Sequence, residues 1–172
     1  LRVYTELEGL DVVGASDMTV ATWAMSVQRF SVKTYTNYEE LILKEKPEAV
    51  SITVPTSEHE KVASFALENG AHVLVEKPIA ATVDEGKRLI ALADKLGKQL
   101  MVGHIIRFNP AMQSLKARLD NGDAGKIFQV FCRRAGPFPA RIRDVGVVVD
   151  LAPHDVDIMR FLTGKDPKRV YA

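Results

Sequence analysis

Three times in the first hundred residues a side chain that accepts hydrogen bonds is followed three positions later by glutamate: Asn37 with Glu40, Ser57 with Glu60 and Thr82 with Glu85. This spacing predicts a helix start, in which the first side chain accepts from a backbone N–H one turn on and the glutamate reaches back to the first residue's own N–H. Short apolar runs lie between these starts, at residues 49–54 (AVSITV) and 72–75 (HVLV), and residues 99–102 (QLMV) follow the third. Gly70 and Gly97 stand where the second and third helices should stop. In the third, Leu89, Leu92, Ala93 and Leu96 make one apolar stripe. Strands alternating with helices of this length imply a parallel sheet with right-handed crossovers, so the expected class is α/β, doubly wound, of a nucleotide-binding type.

In Val73-Leu74-Val75-Glu76-Lys77-Pro78, three apolar residues end abruptly in a carboxylate, an ammonium and a proline. Continuous apolarity suits a buried parallel strand, and Pro78 cannot donate to a ladder, so the strand must end there. Glu76 and Lys77 are thereby set at the carboxyl edge of the sheet, outside which ligands of open α/β folds bind. Lys77 is therefore a candidate catalytic group. For the dipeptide alone, a solvated Glu-Lys pair in a loop is the plainer reading.

Upstream, residues 11–16 (DVVGAS) read as a strand ending in Asp17. An acid at the end of a second parallel strand holds an adenosine ribose through its hydroxyls, about 20 residues after a glycine-rich phosphate turn. That turn is expected just before Leu1, so the chain reads as starting inside an element, with residues 1–8 the end of a helix stopped by Gly9. Read alone, Asp17 is more simply a turn or capping residue. Residues 19–29 have helical propensity, and residues 32–35 read as a short strand.

After Gly103 the pattern changes. Asn109 caps a helix with Pro110 in its first turn, running to Gly122. Residues 126–134 (KIFQVFCRR) alternate as a strand with one covered face would, in a mixed or antiparallel sheet. A proline-rich basic loop follows over residues 136–143, then an apolar segment at 145–150, read as a strand leading into a helix from about residue 153 to 162. The organisation expected is a dinucleotide-type domain over residues 1–103, incomplete at its start, and the beginning of an α+β domain over residues 104–172, incomplete at its end.

The charge balance, 23 Lys and Arg against 22 Asp and Glu, leaves no electrostatic footprint for nucleic acid or an anionic membrane. No apolar run approaches the roughly 20 residues of a membrane span. One cysteine, Cys132, excludes an internal disulfide and a cysteine-based zinc site, which fits a cytoplasmic setting.

Asp150 and His154 are four apart, a spacing that lets a carboxylate reach an imidazole and fix its tautomer, as a general base near neutral pH requires. In isolation the preferred reading is simpler: Asp150 caps a helix and His154 is an ordinary first-turn histidine. No metal site is expected; a set built from His104, His154 and Asp155 lacks a recognised ligand spacing.

Four stretches together resemble the Gfo/Idh/MocA family of NAD(P)-dependent oxidoreductases: Val54-Pro55-Thr56-Ser57-Glu58-His59, Ala71 through Pro78, Val102 through Pro110, and Asp150 through Asp157. The resemblance implies a Rossmann-type sheet and names Lys77, Asp150 and His154 as the catalytic set. It further implies that Thr53, Pro55, His59 and Glu76 line the nicotinamide side, with Lys77 beside them, and that Asp17 binds the ribose. A carboxylate at Asp17 repels a 2′-phosphate, which favours NAD over NADP. Homo-oligomerisation is implied by the resemblance alone.

A narrower likeness inside that family, in the run from Val102 to Pro110 and in residues 133–139 and 141–146, implies a nucleotide-sugar substrate, with Asn109, Arg141 and Asp150 on the substrate side. Arg133, Arg134, Arg141 and Arg143 suit it chemically, since a diphosphate favours planar, permanently charged donors. A basic surface loop explains any one of them equally well. Two other functions stay open: a dehydrogenase of the same fold acting on a free polyol, an amino sugar or an imine, and a nucleotide-binding regulatory module without turnover.

Overall fold

The computed structural model describes residues 1–19, 30–133 and 146–171. Most of the helix expected over residues 19–29, and Arg134, Arg141 and Arg143 of the basic loop, lie outside the described residues. In chain order the elements are α1 (Arg2–Glu6), β1 (Ala15–Ser16), β2 (Thr34–Tyr35), α2 (Tyr38–Glu45), β3 (Ala49–Ile52), a 3-10 turn (Thr56–Glu58), α3 (His59–Glu68), β4 (His72–Val75), α4 (Val83–Leu96), β5 (Leu100–Val102), a second 3-10 turn (Ile105–Phe108), α5 (Pro110–Asp120) and α6 (Val147–Thr163). The described strands pair in parallel as two patches, β1 with β2 and β3-β4-β5 with β4 central. This is the α/β Rossmann-like arrangement expected from the alternation of strands and capped helices. No described helix is long and apolar enough to cross a membrane.

Local chemistry accounts for most of the boundaries. Asn37 accepts from the backbone N–H of Glu39 and Glu40, and Thr82 with Glu85 makes both halves of a capping box. Ser57 does not cap: it lies inside the first 3-10 turn, and α3 begins at His59 with no side-chain cap bond. At the other end of α3, Gly70 at φ +90° lets its own N–H bond Leu67 O while Ala71 N bonds Ala66 O. Gly97, at φ +63°, closes α4 in the same way through Asp94 and Ala93.

The core sits between this sheet and the helices on it: Ile42, Ile52, Val62, Ala66, Leu67, Val73, Val75, Leu89 and Ala93 are buried in one cluster. Leu89 and Ala93 carry the α4 stripe inward, whereas Leu96 at its end is exposed.

Several expectations need correction. α1 ends at Glu6 with Leu7 extended, so Gly9 (φ +79°) belongs to the turn beyond. The strands read over residues 11–16 and 32–35 each pair over two residues only. Residues 126–133 form no strand: their alternating pattern meets no partner edge among the described residues, and Phe128 and Phe131 are exposed. Residues 147–150 are helical, because α6 begins at Val147, where Asp150 N already bonds Gly146 O. The β-branched run argued for a strand, but propensity differences are below about 1 kcal/mol per residue and tertiary contacts override them. Asp150 and His154 therefore share one helix rather than a strand-to-helix junction, and Pro153 lies inside it.

Truncation of the fully buried Leu89 to alanine is expected to cost about 2–5 kcal/mol, and loss of the cap in Thr82→Ala about 1 kcal/mol. Urea midpoints read at unchanged slope check both.

Candidate active site

The register of the three-stranded patch places its carboxyl edge. Ile52 is opposite Val75 and Val75 opposite Val102, so the next residues, Thr53, Glu76 and Gly103, leave the sheet at one level. Glu76 N bonds Ile52 O at 3.0 Å and Gly103 N bonds Val75 O at 2.8 Å, which holds that level to its last rung. Gly103 backs onto Glu76: a Cβ there would lie 3.3 Å from Glu76 Oε2 and 3.5 Å from its Cα. A side chain there would crowd the Glu76 carboxylate by a few tenths of an ångström. Thr53 and Pro55 are exposed in the loop beyond β3. Asp17 is exposed at the end of β1, with Oδ1 accepting the Thr19 N–H at 2.8 Å. That turn bond is the simpler role foreseen for it, yet a carboxylate has further lone pairs for ribose hydroxyls.

One residue past this edge, Lys77 meets the helix that follows 70 residues later in the chain. Its Nζ donates to Asp150 Oδ1 at 2.7 Å and to Asp150 O at 2.5 Å. Both side chains are largely buried, at 14% and 13% exposed. The Lys77–Pro78 peptide is cis. His154 follows Asp150 by four residues on the same face of α6 and is half-buried. The structure thus joins Lys77 to Asp150, the carboxylate taken up by the lysine, and places His154 one turn further along the same helix. Asn109 caps α5, its Oδ1 accepting from Ala111 N at 2.9 Å, and its exposed side chain stands outside the Lys77 pair. Arg141 lies outside the described residues.

A second attachment of α6 carries residues to which sequence reasoning assigned no role. Asp157 is 4% exposed and accepts from Arg107 Nε at 2.7 Å and Arg107 Nη2 at 2.5 Å. Arg107 also lies over the Phe161 ring, 5.5 Å from its centroid. The signal was present as spacing: Asp150, His154 and Asp157 follow at i, i+4 and i+7, one helix face. Burial works to raise the Asp157 pKa, but the Arg107 hydrogen bonds and the positive charges around it hold it below the usual carboxylate range. His104 Nδ1, 3.7 Å from Asp157 Oδ2, is buried without a hydrogen bond. Its burial lowers its pKa despite the nearby carboxylate, so near neutral pH this is a neutral imidazole beside a carboxylate rather than an ion pair.

His59 is 1% exposed at the start of α3, with Nδ1 2.8 Å from Pro78 O and Nε2 3.0 Å from Val54 O. Both of its ring nitrogens are occupied by backbone.

Comparison with known proteins matches residues 1–104 to the family described as "Oxidoreductase family, NAD-binding Rossmann fold" (GFO_IDH_MocA) and residues 112–172 to "GFO/IDH/MocA C-terminal domain". The chain is 38% identical over 125 residues to UDP-N-acetylglucosamine 3-dehydrogenase of Acidithiobacillus ferrooxidans, covering 73% of this chain and 39% of that protein. It is 36% identical over 123 residues to scyllo-inositol 2-dehydrogenase (NAD(+)) of Bacillus subtilis, covering 69% and 36%. Its fold superposes on the crystal structure of scyllo-inositol dehydrogenase from Lactobacillus casei with bound cofactor NAD(H) and scyllo-inositol, with a TM-score of 0.83 over 96% of this chain and 52% of that one, at 19% identity. The chain therefore spans about half or less of each of these proteins.

The depressed Asp157 pKa makes the stabilisation from its pairing with Arg107 complete above the ordinary aspartate value of about 3.9. It is lost as pH falls from there through the lower folded value. Urea unfolding at stepped pH is expected to show this acid loss in the wild type and to lose that component in Asp157→Asn, which should also be less stable at pH 7.

Proposed function

The chain belongs to the Gfo/Idh/MocA family of oxidoreductases, and on that premise we propose that it is part of an NAD-dependent dehydrogenase oxidising a secondary hydroxyl of a sugar, with C3 of UDP-N-acetylglucosamine the preferred substrate. The observation that carries the reading is Lys77 Nζ seated on Asp150, at the carboxyl edge of a parallel sheet and on the same helix as His154. In this reading the chain divides after Gly103, residues 1–103 serving the cofactor and residues 104–172 opening the substrate domain. A cytoplasmic homo-oligomer is part of the same reading.

The edge residues fit a dinucleotide chemically. Thr53, Pro55 and Glu76 would line the nicotinamide side, and Asp17 would accept from the ribose, favouring NAD over NADP. When bound, the nicotinamide supplies the hydride acceptor. The protein's own residues do the rest. An ammonium has three N–H groups; Asp150 takes two of Lys77's, leaving the third to hold and polarise the reacting oxygen. Asp150 fixes that ammonium and keeps its charge balanced. His154, on the same face of α6, removes the hydroxyl proton. Asn109 and Arg141 are assigned to the substrate, the arginine to its diphosphate.

The nucleotide sugar is supported by the relative from Acidithiobacillus ferrooxidans, and a polyol by the scyllo-inositol dehydrogenases. With NAD present, growth of NADH absorbance on adding UDP-N-acetylglucosamine, and none with scyllo-inositol, is the outcome expected; the reverse pattern moves the assignment to the polyol. In the active preparation His154→Ala should lower kcat by about 100- to 10,000-fold while calorimetric substrate binding stays within a few-fold. Retained turnover in that variant overturns the base assignment. Arg141→Ala should raise KM for the nucleotide sugar and leave polyol kinetics unchanged.

A further inference from the structure

We propose that His59 is a positioning residue for Lys77, a buried clip between two loops of the sheet edge, rather than a group that meets the nicotinamide. The inference rests on the reading of Lys77 as the lysine that holds the reacting oxygen, and it deepens that reading.

Two carbonyls define the clip. Val54 O belongs to the loop that leaves β3 and carries Thr53 and Pro55; Pro78 O belongs to the turn that leaves β4, immediately after Lys77. A carbonyl oxygen only accepts, so the ring can only donate here; with its N–H given to one carbonyl and its other nitrogen set against the second, the ring stands between the two loops. At 1% exposure no face of the ring is left for a ligand. The imidazole is the first residue of α3, whose neighbours Val62, Ala63 and Ala66 are packed in the core, so its Cα is anchored and the ring acts as a fixed spacer.

Lys77 is the residue next to one clipped carbonyl. Its side chain reaches across to α6, where 2.5 Å and 2.7 Å contacts to Asp150 leave little tolerance for a shifted backbone. Without the ring, the loop after β3 and the turn after β4 lose the group that lies between their carbonyls, and the turn is free to move away from α6. A displacement of about 1 Å at a reacting group costs orders of magnitude in rate without touching remote binding contacts.

The test reads Lys77 directly and needs no turnover. Acetylation of Lys77 under limiting reagent is followed by mass spectrometry in the wild type, His59→Gln, His59→Leu and Val62→Ala, with the exposed Lys44 and Lys87 as internal references. Val62→Ala removes buried packing from the same helix and controls for general loosening. The proposal expects Lys77 labelling to rise several-fold in His59→Leu and less in His59→Gln, which keeps one donor nitrogen, while Val62→Ala changes Lys77 no more than the references. If His59→Leu does not fold, His59→Gln against Val62→Ala carries the comparison. In active protein, kcat should fall with KM for NAD unchanged. Unaltered Lys77 protection in His59→Gln overturns the proposal, as does an equal rise in Val62→Ala; a rise in the Kd for NAD with Lys77 still protected returns His59 to the cofactor. A protein that proves inactive yet shows His59-dependent protection of Lys77 sinks the functional reading and leaves the clip standing.

Discussion

The contact between Lys77 and Asp150 joins two parts of the chain that share no secondary structure. Lys77 sits just beyond a central parallel strand, Asp150 in the first turn of a helix 73 residues on, and the ammonium bonds both the main-chain and side-chain oxygens of the aspartate. A pair this buried depends on its geometry, since desolvating both charges costs as much as their attraction returns. That dependence makes the surrounding fold intelligible. The strand must end where it does, the turn after it must be held, and the helix must approach at one angle and one height.

Each requirement has its own device. Pro78 stops β4, and Gly103 leaves room beside the Glu76 carboxylate. The pair of the partly exposed Arg107 with the buried Asp157 attaches α6 a second time, two turns from Asp150, or about 10 Å along the helix axis. Two attachments fix both the height and the rotation of α6. His154 lies between them on the same face. The Asp157 carboxylate is held in its charged state by Arg107 against the penalty of burial.

The edge of the sheet was legible early because its determinants are local. Alternation of apolar runs with capped helices is sufficient for a parallel sheet, a proline terminates a ladder wherever it stands, and Thr82 with Glu85 needs only its own helix to make a capping box. Ser57 shows the limit of that logic: the spacing to Glu60 was right, but the chain takes a 3-10 turn through Thr56–Glu58 and begins α3 one residue later, leaving the serine no helix start to cap. The strand read at residues 126–134 failed for a related reason. Alternation describes a surface that suits a sheet, but a strand exists only where another edge accepts its hydrogen bonds.

From the sequence alone came the fold class and the position of the carboxyl edge with Lys77 just beyond it, because periodicity, capping and proline act within a few residues; Asp150 and His154 were singled out as catalytic only by the family resemblance. Only the tertiary structure decided that Asp150 answers Lys77, that Arg107 and Asp157 bind the helix a second time, and that His59 faces two backbone carbonyls. Those contacts span 73, 50 and up to 19 residues of chain. Each depends on the distance and direction between elements, which local patterns do not encode.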